Sequence, residues 1–531
     1  MATSTGHTVI NAGSSMIELF KSYIRDSKPL SKNKFLYFFE VSGDKQKEIA
    51  SLVKKNKGVL LTEWVSPSQD AQSTQWSTLY LAPNDGLYCV QSTLNKKYPA
   101  LADLSTEFPV CNRLQRAIYE LTRIPTRGHK DKRNWFNHGH FPIGVLNDNS
   151  LLKPAPSVHY AFQKVSGQGV HEIPVGPVHA GIIEPGHFRF SVVGERILKC
   201  EERLGYAHKG IHQLLKNKSL DEAKKLIGRV SGDSTVAYAC AFIKACEQIY
   251  NYSPNEQSSA ERVIALERER LCNHIGDIGA IVNDAGLPSL QSSFSCLKEQ
   301  LLRHNKKYLG HRYLMDCLEP FSTTILFSNA HLKSIKSELP ALEKSLIKLQ
   351  VIVEHHFGLQ DRFQDAGMIS LAQAETLGLL GFVARASGID NDCRRIFSEK
   401  NDGALSVLSN EMQTGDVQAR VMLRFKECFD SIALIQASIQ NISENKNNPA
   451  NNKKLVLSEN KTNIGIGVVE GWRGPIAVIL SLKQDKIEWC HFHDPSWQNW
   501  LALEYAVLDN IVADFPLINK SFNLSYSGHD S

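Results

Sequence analysis

The first hundred residues alternate short runs of aromatic and β-prone residues with one charged, helically spaced stretch. Lys34-Phe-Leu-Tyr-Phe-Phe-Glu-Val-Ser42 and Gly58-Val-Leu-Leu-Thr-Glu-Trp-Val65 have the composition of strands. Between them, residues 45–56 place Ile49, Leu52 and Val53 at helical spacing. Residues 75–82 and 87–91 add two extended pieces. The pattern predicts a small α+β unit in which a helix packs on a mostly antiparallel sheet.

After Phe108-Pro a helix is predicted over 112–122, followed by a turn-rich, positively charged loop, Pro125-Thr-Arg-Gly-His-Lys-Asp-Lys-Arg133. Residues 146–157, with Asn-Asp-Asn-Ser and two prolines, read as a linker and set a domain boundary at 150/151. Residues 172–199 read as extended chain broken by Gly and Pro, and helical periodicity dominates beyond Leu214. Ser258-x-x-Glu261 predicts a capping box opening a helix to about Ile281, with Val263, Leu266, Leu271, Ile275 and Ile278 on its apolar side. Residues 321–357 predict one or two helices broken or kinked near Pro340. A polar insert at 443–455 precedes a predicted strand pair, 465–469 and 476–482, around a Glu-Gly-Trp-Arg-Gly turn. There are no internal repeats.

At 531 residues the chain has room for two domains or more. Sixty Lys and Arg against 55 Asp and Glu leave a net charge of +5, which gives no nucleic-acid footprint. The 11 cysteines never form C-x-x-C, which excludes a zinc ribbon or a ferredoxin-type cluster run and fits packing thiols in a reducing compartment. The first residues show no signal-peptide pattern, and no run approaches the ~18 apolar residues of a membrane span, so any work at a membrane is expected to go through partners.

Four short segments concentrate candidate chemistry. Gly176-Pro-Val-His-Ala-Gly-Ile-Ile-Glu-Pro-Gly-His-Phe-Arg-Phe190 carries His179, Glu184, His187 and Arg189 in a turn-rich context. Glu201-Glu-Arg-Leu-Gly-Tyr-Ala-His-Lys-Gly210 is a charged hinge. Arg229-Val-Ser-Gly-Asp-Ser234 spaces two hydroxyls as S-x-x-S before an apolar helix, with Asp233 or Ser234 a candidate N-cap. Asp494-Pro-Ser-Trp-Gln-Asn499 is a proline turn with an aromatic anchor.

Taken in order, these segments resemble the large subunit of hydrogenase-4 and formate hydrogenlyase complexes, a group-4 [NiFe]-hydrogenase-like protein. The two parts are similar to the C and D subunits of NADH-quinone oxidoreductase (respiratory complex I) joined in one chain. The first part carries Phe108-Pro-Val-Cys-Asn-Arg-Leu-Gln-Arg-Ala-Ile-Tyr-Glu-Leu121 and Gly128-His129, with Gln115 where an acidic residue is usual. The second carries Gly205-Tyr-Ala-His-Lys-Gly-Ile211, Leu266-Glu-Arg-Glu-Arg-Leu-Cys-Asn-His274, Ala384-Arg-Ala-Ser-Gly-Ile-Asp-Asn-Asp-Cys-Arg394 and Gly415-Asp-Val-Gln-Ala-Arg420. The resemblance implies an α+β N-terminal domain at 1–150 and a large, mainly helical domain at 151–531.

It also implies what has changed. Catalytic [NiFe] relatives read R-x-C-G-x-C and D-P-C-x-x-C, four thiolates that hold nickel and bridge it to iron. Here those places hold Ser231, Ser234, Ser496 and Asn499. A thiol with a pKa of about 8.5 ionises readily at a soft metal, whereas a hydroxyl is harder and less acidic and an amide is neutral. The resemblance places Glu184 where hydrogenases carry a proton-relaying glutamate, with Arg229 and Asp494 flanking the vacant ligand positions. Complex I instead binds a quinone headgroup with a Tyr and a His. Aligned on Arg229, the tyrosine place holds Gly232, and His179 and His187 are the neighbouring histidines; His212 replaces a usual Glu.

The expected role is therefore an electron-passing subunit without a Ni-Fe centre, using Glu184, His179, His187, Arg229 and Asp494. It would bind no cofactor itself, face an iron-sulfur small subunit similar to the one in complex I, and have quinone as candidate acceptor. With membrane subunits as further partners, it would lie in the cytoplasm on the inner face of the membrane. The alternative is a non-redox scaffold or coupling subunit of an ion- or bicarbonate-transporting complex, and a third option is an active hydrogenase. NADH binding in this chain is not expected, because no G-x-G-x-x-G follows a strand.

Overall fold

The computed structural model describes residues 36–67, 73–82, 85–95, 97–144, 146, 160–322, 324–397, 412–444 and 463–531. The predicted linker, apart from Leu146, and most of the polar insert lie outside them. The chain divides into two compact units, residues 1–119 with 123–131, and residues 120–122 with 132–531. That division falls before the 150/151 boundary expected from the linker composition.

In the first unit, strands β1 (Leu36–Glu40), β2 (Val59–Pro67), β3 (Thr74–Ala82) and β4 (Gly86–Thr93) form one sheet in the order β1-β4-β3-β2. Only the β1 and β4 pairing is parallel. Helix α1 (Gln46–Lys55) buries Ile49 and Val53 of the predicted stripe together with Ala50, while Leu52 is only part-buried. A short parallel pair, β5 (Leu101–Ala102) and β6 (Thr126–Arg127), flanks helix α2 (Cys111–Thr122).

The second unit opens on an antiparallel sheet of β7 (Val170–Val175), β8 (His187–Val193) and β9 (Arg196–Arg203). Helices α3 (Ile211–Leu215) and α4 (Leu220–Ile227) lead to the almost wholly buried α5 (Thr235–Ile249). Three long helices follow: α6 (Glu256–Asp284), α7 (Pro288–Leu309) and α8 (Asn329–His355). Short helices α9 (Phe357–Phe363), α10 (Leu371–Leu377), α11 (Gly381–Ala386) and α12 (Cys393–Phe397) precede α13 (Val417–Glu444), which packs along α6. A second antiparallel sheet, β10 (Ile464–Glu470), β11 (Pro475–Lys483) and β12 (Lys486–His493), lies against α5. The chain closes with α14 (Ser496–Ala506), α15 (Phe515–Phe522) and the single turn α16 (Tyr526–His529). The mixture of long helices and small sheets is the expected α+β class.

Local rules are overridden in three places. Asn255, not Ser258, caps α6, its side chain accepting from the Ser258 N–H at 2.7 Å. Glu261, expected in the capping box, instead accepts from the N–H groups of Leu326 and Phe327. Ser234 stands at the α5 N-cap without a side-chain capping bond; Glu269 of α6 serves that end, accepting from Val236 N at 2.7 Å and Ala237 N at 3.1 Å. Burial pushes Glu269 up to about 8. Finally, α8 continues through Pro340 as one helix.

Candidate functional site

The segment from Arg229 to Ser234 lies between α4 and α5, and the Asp494 turn lies between β12 and α14. Between them sits a piece of chain that none of the sequence motifs flags, the C-terminal Ser525–Ser531. Ser525, Tyr526, Ser527, His529 and Asp530 are each at most 5% exposed. Ser525 is the hub. Its hydroxyl lies 2.9 Å from the Ser231 hydroxyl, accepts the Gly528 N–H at 2.9 Å, and its own N–H donates to Ser496 Oγ at 2.9 Å. Ser231 donates in turn to Asp233 Oδ1 at 2.9 Å, and Ser234 does so at 3.3 Å. Proton bookkeeping then makes Ser525 the donor to Ser231, because each hydroxyl has one hydrogen to give.

Three of the four positions that the resemblance singles out, Ser231, Ser234 and Ser496, thus form one chain of hydrogen bonds through Ser525 and Asp233. The fourth turns elsewhere: Asn499 Oδ1 accepts from Leu380 N at 3.1 Å and its Nδ2 donates to Leu380 O at 3.0 Å. Hydroxyls and an amide so engaged do not match a thiolate set for nickel and low-spin iron. No cluster of three or more His, Cys, Asp or Glu able to hold a metal ion occurs among the described residues.

Charge around the hub is paired. Arg473, from the Glu-Gly-Trp-Arg-Gly turn, grips Asp233 with both terminal nitrogens, at 2.8 and 2.6 Å. Burial opposes ionisation of Asp233, yet the Arg473 charge and the hydrogen bonds hold its carboxyl below the usual range. Asp494 is fully buried, accepting from Ser496 N at 2.9 Å and from the Tyr238 hydroxyl at 3.0 Å. Gly528 lies so close that a Cβ there would stand 2.4 Å from Asp494 Oδ2. Asp494 therefore acts as a turn anchor.

The loop between β7 and β8 meets the same tail. Tyr526 Oη lies 3.2 Å from His179 Nε2, and the Ser527 N–H donates to Glu184 Oε2 at 2.9 Å. Glu184 is exposed, and the two arginines nearest it in the motifs are committed elsewhere, Arg189 to Glu172 and Arg229 to Asp316. The Arg229 guanidinium forms a two-pronged pair with Asp316 at 2.9 and 2.7 Å, which raises its pKa and turns it away from the hub. His187 begins β8, with Nδ1 3.4 Å from the Gly176 carbonyl, and burial lowers its pKa. Burial also lowers that of the half-buried His179.

The tail is anchored at its far end by aromatic rings. His529 stacks on Trp497 with centroids 4.1 Å apart, accepts from Trp135 Nε1 at 3.2 Å, and pairs through Nδ1 with Asp530 at 2.8 Å. Asp530 accepts the Ala207 N–H at 2.9 Å, and its carbonyl lies 2.7 Å from His208 Nδ1. The structure therefore brings together Ser231, Ser234, Ser496 and Asp494, and separately His179 and Glu184, through one tail. It places Arg229 and Asn499 outside both groups. The sequence signal for the tail is its dense polar composition, Ser525-Tyr-Ser-Gly-His-Asp-Ser531, which local patterning cannot assign to a distant partner.

Comparison with known proteins fits this framework. Residues 284–467 match the family described as "Respiratory-chain NADH dehydrogenase, 49 Kd subunit". Hydrogenase-4 component G of Escherichia coli is 26% identical over 71% of this chain and 65% of its own length, so the match spans just under two thirds of that relative. Formate hydrogenlyase subunit 5 of Escherichia coli is 25% identical over 73% of this chain and 69% of its own length. The fused C/D protein of NADH-quinone oxidoreductase from Phocaeicola vulgatus is 23% identical over 74% of this chain and 79% of its own length. By sequence match and by motif order, the chain resembles the large subunits of hydrogenase-4 and formate hydrogenlyase and the fused C and D subunits of NADH-quinone oxidoreductase.

Proposed function

We propose that the chain is the large hydrophilic subunit of a membrane-associated, hydrogenase-4-like or complex I-like oxidoreductase, passing electrons from a partner iron-sulfur subunit to quinone without a Ni-Fe centre. The observation that carries this reading is the hydrogen-bonded hub, in which Ser231, Ser234 and Ser496 are satisfied by oxygen and backbone partners where a metal would need thiolates. What remains for acceptor chemistry is the neighbouring loop. Reducing a quinone to its quinol takes two electrons, from the partner's cluster, and two protons. The two protons come from solvent, and His179 and Glu184 are the groups that loop offers to relay them to the acceptor. His187, Arg229 and Asp494 have structural roles in this reading.

No helix among the described residues is long and apolar enough to cross a membrane. Attachment to the inner face of the membrane accordingly runs through membrane subunits in this proposal. The test uses the purified complex with decylubiquinone as acceptor. The H179A complex should lose about 10²–10⁴-fold in kcat/KM, the scale of one proton-transferring group; an unchanged value would refute the assignment.

The buried tail favours a second reading, a non-redox coupling subunit of an ion- or bicarbonate-transporting complex, because it fills the interior between the old ligand segments. A complex that drives transport with no cluster reducible by NADH or ferredoxin would select it. Nickel at one equivalent per chain would select an active hydrogenase.

A further inference from the structure

The proposed quinone site lacks a tyrosine at the position the family resemblance would supply, since Gly232 stands there. The fold brings one from elsewhere. Tyr526 enters from the C-terminal turn α16, packs edge-on against Trp500 with centroids 4.7 Å apart, and ends with its hydroxyl 3.2 Å from His179 Nε2. The ring runs directly beneath Gly186: a Cβ there would lie 2.4 Å from Tyr526 Cε1. The loop bearing His179 is thus shaped around this phenol.

We propose that Tyr526 is the positioning residue for His179, donating its phenolic hydrogen to Nε2 and so holding the imidazole as the Nδ1–H tautomer in a fixed orientation. The direction of the bond follows from both partners. Burial raises the phenol pKa and lowers that of His179, so at neutral pH the phenol keeps its proton and the imidazole is neutral with one nitrogen free to accept. The phenolic hydrogen then points at His179 Nε2, the partner 3.2 Å away. A fixed tautomer presents a single N–H to whatever occupies the loop, which is the requirement for orienting a carbonyl-bearing acceptor.

The role rests on the proposed function only for its consequence, and the pairing itself can be tested without any acceptor. Diethyl pyrocarbonate acylates neutral, unblocked imidazole nitrogens, and peptide mass spectrometry resolves His179 from the exposed His171. In the full chain, Y526F should speed acylation of His179 several-fold while leaving His171 unchanged. G186A, which displaces the same ring by crowding, should do the same and guards against an effect peculiar to the lost hydroxyl. Equal His179 rates in the native chain and both variants would overturn the pairing. In the complex, Y526F should also raise the KM for decylubiquinone by more than it lowers kcat. If acylation responds but decylubiquinone is never reduced, the pairing stands and the quinone reading falls.

Discussion

Two buried polar regions of the second unit solve opposite problems. Around Arg385 the interior is ionic. Arg385 holds Glu427 at 2.6 Å and Glu470 at 2.9 Å, while Arg270 reaches Glu267 at 2.9 Å and Glu427 at 3.4 Å. His274 adds a 2.9 Å contact to Glu427, and Arg394 bonds Asp392 at 2.7 Å. Burial disfavours the Glu427 charge, but Arg385 and His274 hold its pKa well below the usual range. Around Ser525, by contrast, most links are hydroxyls and backbone N–H groups, ending on Asp233, which pairs with Arg473. Two of the motifs that carry the resemblance, those of residues 266–274 and 384–394, build the ionic scaffold. The region around Ser525 is instead a hydrogen-bond hub that ends on one carboxylate, Asp233, paired with Arg473.

Acid should affect this arrangement most. Burial lowers His491 and His493 of β12 to about 3, against an ordinary value of 6.5. Both are then neutral in the fold at pH 7, and the unfolded chain binds protons first as the pH falls below about 6.5. Stability should therefore drop progressively from about pH 6.5 to about 3, with each histidine contributing up to about 1.4 kcal/mol per pH unit. An H493L chain should lose less over that interval in urea titrations, and a pH dependence identical to that of the native chain would show that His493 plays no part in the acid response.

Breaking the ionic region comes next. R385A leaves Glu427 and Glu470 buried without their main counter-charge and should cost about 3–5 kcal/mol in chemical denaturation. In the hub, S525A strands the Gly528 N–H and removes the donor to Ser231, with an expected cost of about 1–3 kcal/mol. A larger loss for S525A than for R385A would invert the comparison. The smallest effect is expected at Arg229, whose pair with Asp316 is about 40% and 34% exposed: R229A should change stability by less than about 1 kcal/mol and leave acceptor reduction intact.

Much of the architecture is legible in local pattern. The strands and helix of the first unit follow from aromatic and β-branched runs and from the spacing of Ile49, Leu52 and Val53. β12 escapes that pattern because His491 and His493 put polar residue types on a strand whose neighbours Cys490 and Phe492 carry the core face. Pro340 reads as a break, yet it lies on the exposed side of α8, where the Lys336 carbonyl that loses its partner can turn to water. Of the residues that the resemblance singles out, Ser231, Ser234, Ser496 and Asp494 do gather. Arg229 and Asn499 belong to the same motifs only by adjacency in sequence, and their partners, Asp316 and Leu380, show where they face. Ser525 and Tyr526 cannot be found by pattern, because their partners lie 294 and 347 residues away.

On the proposed reading, a hydroxyl hub stands where catalytic relatives hold a bimetallic centre. Elemental analysis of the purified complex, counting nickel per large subunit, tests it most directly. Nickel at background level is predicted, and one equivalent of nickel retained through purification would contradict it.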